Sequence, residues 1–339
     1  MRDRAAAGLR PAATSVVILL LALATAASAC GGVGGLDGAV TAPPLPRPTS
    51  EPSEVPPPTL IFLSGRPADP LDGPLLAWAS DRGWNLVRLS PQEMEGDWIA
   101  DAGVRAAVGY ESDGFPPAGA AGEAWPAIVL EASSTTPGGR IHTVGTPGER
   151  RDEAAFLVGV LAGLVSRTGW IGLIDSTGGA HLAVDEAGFQ AGIRYSCPIC
   201  RVLTWTPGEI TTDALRANTI DVLFALPGPA AAEGLAPAEG VDLWQVWLEA
   251  LPGAMPADHV AGGIGFDLRG PTLLALDAAA GGQDGAAWPY SAALEGLALV
   301  NSNSEALSPG HLRIFEEAWR GLADGSLTIG IDPLTGEEP

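Results

Sequence analysis

Short apolar segments alternate with amphipathic ones from residue 59 onward, and this alternation limits the possible folds more than any other feature. Residues 59–63, bounded by Pro58, form an apolar run with the length of a buried strand. Residues 71–83 then repeat apolar side chains at helical spacing, and residues 84–89 predict a second strand. Strands separated by helices of this length predict an α/β fold with parallel sheets and right-handed crossovers.

The same alternation continues along the rest of the chain. Residues 153–167 predict a helix that is apolar nearly all round, which must therefore be packed on most of its sides. Further predicted strands are residues 105–110, 125–130, 170–174, 201–205, 220–226 and 241–248. Further predicted helices are residues 182–195, 212–218 and 309–325.

The N-terminal residues have the composition of a secretory signal. Three arginines precede the apolar residues 16–24, which are followed by the small residues 27–29 and by Cys30. The apolar stretch is shorter than the roughly 20 residues of a membrane span, so removal of residues 1–29 is predicted. A cysteine in this place resembles a bacterial lipobox, in which Cys30 carries a lipid. Cleavage before Cys30 without a lipid is the alternative.

Residues 30–58 are rich first in Gly and then in Pro. Such a composition cannot bury enough apolar surface to offset the entropy lost on ordering, and Pro keeps the chain extended. The segment is therefore predicted to be a tether that spaces the folded part from the membrane.

The charge balance restricts the partners and the chemistry. The formal net charge is −22, and it becomes about −24 once residues 1–29 are removed, which repels nucleic acid. All 18 basic residues are Arg, so Schiff-base lysines, the Walker P-loop lysine and the Ser-x-x-Lys acylation pair are excluded.

Cys197 and Cys200 form a Cys-x-x-Cys sequence. In an oxidising exterior, such a turn is predicted to close as a local disulfide. A thioredoxin-like redox pair is the alternative, but its cysteines follow a strand and begin a helix, whereas this pair follows a helical segment and precedes a strand. A zinc site is a further alternative, without a second cysteine pair to support it.

The sequence predicts no cofactor, no metal and no enzymatic activity. His142, His181, His259 and His311 lack the spacing of metal ligands, and neither a Gly-x-Ser-x-Gly elbow nor a Gly-x-Gly-x-x-Gly turn after a strand is present. A dispersed Ser/His/Asp triad, which would make the protein a hydrolase, stays open as an alternative.

Ligands of open parallel sheets bind beyond the carboxyl ends of the strands. The loops predicted to lie there hold most of the polar candidates. They are residues 64–72, 110–115, 131–135, 175–181, 227–230, 249–252 and 265–269.

Five residues in or beside these loops are candidates for binding a sugar or nucleoside, which needs an aromatic face and carboxylates. Tyr110 and Glu111 follow one predicted strand and supply both, with a solvated loop pair as the alternative. Asp175 and Ser176 follow another strand, and their alternative role is to cap the next helix. Trp205, at a strand end, is the predicted stacking residue.

Arg66 and Asp69 lie in the loop after the first strand. If Arg66 points into a cleft, its guanidinium favours an anionic ligand. A surface salt bridge is the alternative for Arg66.

Three motifs in order carry a family resemblance. They are Glu153-Ala-Ala-Phe-Leu-Val-Gly-Val-Leu-Ala-Gly163, Ser166-Arg-Thr-Gly-Trp-Ile-Gly-Leu173 and Glu186-Ala-Gly-Phe-Gln-Ala-Gly-Ile-Arg-Tyr195. With residues 221–225, 307–309 and 325–329, they are similar to the basic membrane protein family, the substrate-binding lipoproteins that include bacterial purine nucleoside receptors.

The resemblance implies a type I periplasmic-binding-protein fold, in which two doubly wound parallel-sheet lobes enclose a cleft. The implied lobes are residues 59–148, joined by part of 265–305, and residues 149–264, with part of 306–335 near the lobe interface. Family members bind nucleosides through a Phe- and Asn-containing loop after the first strand and an Asp-rich loop in the second lobe. Residues 64–69 and 246–251 correspond here, and Glu249 is the acidic residue of the second.

The leading hypothesis is a membrane-anchored, extracytoplasmic protein that binds a nucleoside-like or other small polar solute and delivers it to the permease of an ABC importer. The alternative is a binding-protein fold that acts as an envelope sensor or interaction module without transport. The first loop, which lacks Phe and Asn, motivates this alternative.

Overall fold

A computed structural model describes residues 56–95, 103–115, 125–145, 150–176, 181–228, 230–249 and 259–338. The predicted signal segment, Cys30 and most of the tether lie outside the described residues. Within the described ranges, no helix is long and apolar enough to span a membrane.

Strands and helices alternate through the described residues. In chain order they are β1 (Thr59–Leu63), α1 (Asp72–Asp81), β2 (Asn85–Leu89), β3 (Val104–Tyr110), β4 (Ala127–Leu130), β5 (Ile141–Val144), α2 (Arg151–Val165), β6 (Trp170–Ile174), α3 (Leu182–Ser196), β7 (Arg201–Trp205), α4 (Thr212–Ala217), β8 (Val222–Ala225), α5 (Ala231–Leu235), β9 (Trp244–Leu248), β10 (Val260–Phe266), α6 (Arg269–Ala280), β11 (Ala287–Trp288), β12 (Leu297–Val300) and α7 (Pro309–Ala323).

The strands form two six-stranded sheets of matching topology. The first has the order β11-β5-β4-β3-β1-β2 and the second β12-β10-β9-β8-β6-β7. All pairs of the first sheet are parallel. In the second sheet β12 runs antiparallel to β10, which the sequence pattern did not predict. This is the predicted arrangement of two α/β lobes, and it is consistent with the type I periplasmic-binding-protein fold.

Each sheet is buried on both faces, which explains the continuous apolar strands. In β1, Leu60 and Phe62 face α1 and α6, whereas Ile61 and Leu63 face the opposite side. In the second sheet, one face packs against α2, α3 and α7 and the other against α4 and α5. The predicted burial of the 153–167 helix is confirmed, because all residues of α2 except Leu164 are buried.

The glycines of the family-like motifs allow α2 and α3 to approach closely. A Cβ atom added at Gly159 would lie 2.0 Å from the carbonyl oxygen of Phe189, and one at Gly192 would lie 2.0 Å from that of Phe156. Real Cβ atoms do not approach oxygen so closely. These motif residues therefore serve helix packing.

The order of the strands shows that the described chain changes sheet between β5 and β6, between β10 and β11, and between β11 and β12. Tyr290 lies on the last of these crossings. Its ring stacks on Phe266, the last residue of β10, with centroids 4.7 Å apart. Its Cζ would be 2.4 Å from a Cβ atom at Gly145, which follows β5 and has a φ of +67°. Tyr290 thus lies on one crossing and contacts the residues at which the other two crossings begin.

Candidate functional site

A cavity of about 610 Å³ lies at the carboxyl ends of the strands and is lined from both sheets. The first sheet contributes Arg66 from the loop after β1 and Glu131 from the end of β4. The second contributes Trp247 and Glu249 from β9 and its end. The crossing segments add Phe266, Asp267, Arg269 and Tyr290. A volume of this size and a wall drawn from two sheets are typical of small-molecule sites.

Arg66 lines the cavity and contacts Tyr110, which in turn binds Asp69; all three are predicted site residues. Its guanidinium carbon lies 3.8 Å from the centroid of the Tyr110 ring. The fully buried Tyr110 donates a hydrogen bond from its hydroxyl to Asp69 Oδ1 at 3.1 Å. Asp69 also accepts bonds from the Ser64 hydroxyl and the Leu71 amide. Asp69 therefore holds the Tyr110 ring in place, and this ring contacts the guanidinium of Arg66.

Glu131 and Glu249 occupy matching places in the two sheets. Each follows the strand third from the edge, and each has a left-handed backbone, with φ of 50° and 63°. Each amide donates to the neighbouring strand at 2.9 Å, Glu131 to Val144 and Glu249 to Ile264. Their side chains are 39% and 38% exposed. The same backbone conformation thus places one carboxylate from each sheet at the cavity.

Each of these carboxylates has its own arginine. Arg66 Nη2 lies 2.8 Å from Glu131 Oε2. Glu249 is paired with Nη1 of Arg151, whose Nε and Nη2 form a bidentate pair with the buried Asp185 at 2.9 and 2.8 Å. Burial raises the pKa of Asp185 despite this pairing.

Trp247 forms an apolar floor. A Cβ atom at Gly263, its partner on β10, would lie 2.5 Å from the indole ring, so only glycine there lets the ring lie flat on the sheet. Trp247 also lines the cavity. Beside this floor, Asp267 accepts hydrogen bonds from Arg269. Although burial acts to raise it, these bonds hold the pKa of Asp267 below its usual range.

The other predicted site residues are placed elsewhere. Glu111 binds the backbone amides and hydroxyls of Ser133, Ser134 and Thr135; burial acts to raise its pKa, yet these bonds hold it well below its usual range. Glu111 does not line the cavity described above.

Asp175, Ser176 and Trp205 also lie away from this cavity. Asp175 donates its amide to the carbonyl of Trp205 at 2.8 Å. Ser176 is fully buried next to Gly228. Trp205 packs against the cluster formed with α4 and α5 on the outer face of the second sheet.

Of the lining residues named above, the sequence identified only Arg66 and Glu249 as candidates. Glu131 and Asp267 lie in loops that the strand pattern marks, but neither was named. Trp247 lies inside a predicted strand, and Tyr290 lies in a segment to which no element was assigned. The alternation of strands could have indicated the ends of β4 and β9, whereas no local signal marks Tyr290.

The structure pairs Cys197 with Cys200 at a sulfur–sulfur distance of 2.05 Å, between the end of α3 and the start of β7. Among the described residues, no group of three or more His, Cys, Asp or Glu is placed to hold a metal ion.

Residues 135–219 match the Bmp family, described as ABC transporter substrate-binding protein PnrA-like. This segment contains α2, β6, α3, β7 and α4, which include all three predicted motifs. No curated protein is significantly similar to the chain in sequence.

The structure can be aligned with several solved structures. An ABC transporter system solute-binding protein from Conexibacter woesei DSM 14684 is 17% identical, covers 80% of this chain and 98% of its own, and has a TM-score of 0.51. A transcriptional activator of the comK gene from Bacillus halodurans is 12% identical, with 80% and 99% covered and a TM-score of 0.49. A solute-binding protein from Aeropyrum pernix K1 is 14% identical, with 80% and 93% covered and a TM-score of 0.44.

At this identity the first of these similarities shows the fold alone. Residues 135–219 are thus similar to the Bmp family of PnrA-like ABC transporter substrate-binding proteins, and the two α/β lobes have the fold of a solute-binding protein.

Proposed function

We propose that the protein is an extracytoplasmic solute-binding lipoprotein, which captures a small polar solute, nucleoside-like or of another kind, and delivers it to the permease of an ABC importer. The observation that carries this proposal is the cavity at the carboxyl ends of both sheets, to which Glu131 and Glu249 contribute matching carboxylates. A binding protein needs such a site between two lobes.

The division into lobes is part of the same proposal. Residues 59–148 and part of 265–305 would form one lobe, and residues 149–264 would form the other, with part of 306–335 near the interface. A solute bound by both lobes would favour the closed arrangement, since it gains contacts only there.

The N-terminal sequence supports export and anchoring. In this proposal residues 1–29 are removed, Cys30 carries the lipid, and the Pro-rich tether positions the domain in front of the permease. The pairing of Cys197 with Cys200 fits an oxidising compartment.

Ligand binding is tested by thermal unfolding of the domain from residue 56 onward, after unfolding and refolding to remove any bound solute. Nucleosides, bases, sugars and amino acids are added separately. A ligand at 100 times its dissociation constant adds about 2.7 kcal/mol to the free energy of unfolding, which raises the melting temperature by several degrees. No shift with any of the four classes would contradict solute binding.

Anchoring is tested with the full chain and its Cys30→Ser variant in a bacterial host. The unchanged chain should incorporate labelled fatty acid and sediment with membranes, and the variant should do neither. Release of the unchanged chain without label would instead support simple cleavage before Cys30.

One observation favours the alternative of an envelope sensor. Arg66 is already paired with Glu131 and stacked on Tyr110, so part of the cavity wall is satisfied without a solute. Crosslinking of the anchored protein to an envelope signalling protein, and not to importer subunits, would support the sensor over the transport role.

A further inference from the structure

The ionised groups around the cavity form adjacent donor–acceptor pairs. Arg66 is 2.8 Å from Glu131, Arg269 Nε is 2.9 Å from Asp267, and Arg151 binds Glu249. Because each carboxylate already has its own guanidinium, a charged solute finds no unpaired counter-charge among them. A charged ligand would have to break an existing pair, so this arrangement favours an uncharged solute.

Paired donors and acceptors suit hydroxyl groups in particular. A carboxylate only accepts hydrogen bonds and a guanidinium only donates them, whereas a hydroxyl does both. One hydroxyl can therefore donate to Glu131 while it accepts from Arg66. Several such pairs around one cavity favour a ligand that carries several hydroxyl groups over a ligand whose polar atoms lie on one side only.

Among the aromatic residues of the cavity wall, Trp247 is the candidate for stacking on a ligand. Phe266 and Tyr290 stack on each other, and the Tyr110 ring is covered by Arg66. The Trp247 ring lies over Gly263 and lines the cavity. The apolar side of a sugar ring needs a single aromatic face. Among the described lining residues there is no Asn, Gln, Ser or Thr to read the edge of a nucleobase.

We infer that the solute is an uncharged, polyhydroxylated ring, a monosaccharide or a cyclic polyol. Its apolar face rests on Trp247, and its hydroxyls bind the matched carboxylates Glu131 and Glu249. This inference rests on the proposed solute-binding function and narrows its substrate class, because it excludes recognition through a nucleobase and through a charged group.

The inference is tested by titration calorimetry on the refolded domain from residue 56 onward. The probes are the common aldopentoses and aldohexoses, myo-inositol, the nucleosides inosine and adenosine, and the charged derivatives D-glucuronate and D-ribose 5-phosphate. We expect a neutral sugar or myo-inositol to bind, and its charged counterpart to bind at least about tenfold more weakly.

The outcomes separate the two proposals. Binding of a nucleoside with no response to the neutral sugars and myo-inositol overturns the inference and leaves solute binding intact. Tighter binding of a charged derivative overturns it as well. If no probe in this panel gives a binding signal, and no compound in the four-class panel shifts the melting temperature, both proposals are overturned.

Variants of the lining residues then test which side chains contact the bound sugar. Trp247→Ala and Glu131→Gln should each weaken the binding of the identified sugar by about tenfold or more, and Trp247→Phe should restore part of it. Trp170→Phe, at the opposite end of the second sheet, is the control for loss of an indole and should leave affinity unchanged. Unchanged affinity in Trp247→Ala or Glu131→Gln, with the variant folded by circular dichroism, would refute the proposed contacts.

Discussion

The guanidinium of Arg66 lies over the ring of Tyr110, with its central carbon 3.8 Å from the ring centroid. The sequence nominates both residues as ligand contacts, but the structure gives them different positions. Tyr110 is fully buried and holds Asp69, whereas Arg66 reaches the cavity and binds Glu131. The aromatic face predicted for the ligand is therefore occupied by a residue of the protein itself.

Tyr110→Phe should lower the free energy of unfolding by about 1 kcal/mol at pH 7, since Asp69 loses one of its hydrogen bonds. Burial, aided by the negative charge of Asp69, raises the pKa of Tyr110 above its ordinary value of 10.0. Above pH 10 the unfolded chain loses this proton and the folded chain keeps it, so the unchanged protein loses stability there.

The variant lacks this titration, so the difference in stability between the two proteins should shrink as the pH rises above about 10. Urea unfolding of both proteins at pH 7, 9 and 10.5 measures this difference in the free energy of unfolding. A difference that stays constant over this range would contradict the assignment of Tyr110 as a buried, protonated donor.

Arg151→Met should lower the free energy of unfolding by about 3 to 5 kcal/mol, because it leaves the buried carboxylate of Asp185 without its bidentate partner. Arg194→Met is the matched control. It removes an ion pair with Glu338 whose side chains are 56% and 69% exposed, and it should change stability by less than about 1 kcal/mol. If urea unfolding shows that both variants lose the same free energy of unfolding, then Arg151 and Asp185 do not act as a buried ion pair.

Gly159→Ala should destabilise the protein by about 2 kcal/mol or more, because the added methyl group meets the carbonyl oxygen of Phe189 between α2 and α3. Gly73→Ala makes the same chemical change in α1, where nothing lies within 4 Å of the added group. Because Gly73 lies in the first turn of α1 and precedes Pro74, where an added Cβ atom gains little helix propensity, stability should change by less than about 1 kcal/mol. Thermal unfolding of both variants checks that only Gly159→Ala is strongly destabilised.

The double variant Cys197→Ser and Cys200→Ser should lower the free energy of unfolding by no more than about 2 kcal/mol, because a disulfide that closes a loop of four residues restricts the unfolded chain only slightly. Urea unfolding with and without a reductant measures the loss. Thiol titration of the exported protein should find no free thiol at these positions, and two free thiols would contradict the disulfide.

The elements of the second lobe that are long or strongly apolar could be predicted from sequence. The strand Arg201–Trp205 has the predicted bounds, and α2, β6 and α3 differ from their predictions by two residues or fewer. By contrast, β10 contains three glycines in seven residues and β11 has only two residues, so neither carries a strand signal. The antiparallel direction of β12 depends on the path of the chain between sheets, which no local pattern encodes.

The site could be predicted less well than the fold. The rule that ligands bind beyond strand ends led to Arg66, and the family resemblance led to Glu249; both residues line the cavity. It could not distinguish them from Glu111, whose carboxylate is bound by its own neighbouring loop. Which polar residues turn inward is decided by packing between segments far apart in sequence, as with Trp247 on Gly263.

The position of Tyr290 has a consequence for signalling. Tyr290 lies on one of the segments by which the chain passes from one sheet to the other. Its ring contacts Phe266 and Gly145, where the other two crossings begin, and it also forms part of the cavity wall. In the proposed function, rotation of one lobe against the other would repack this ring. A solute that contacts the ring would then favour one angle between the lobes, and a permease that binds one angle would by the same coupling alter the affinity for the solute.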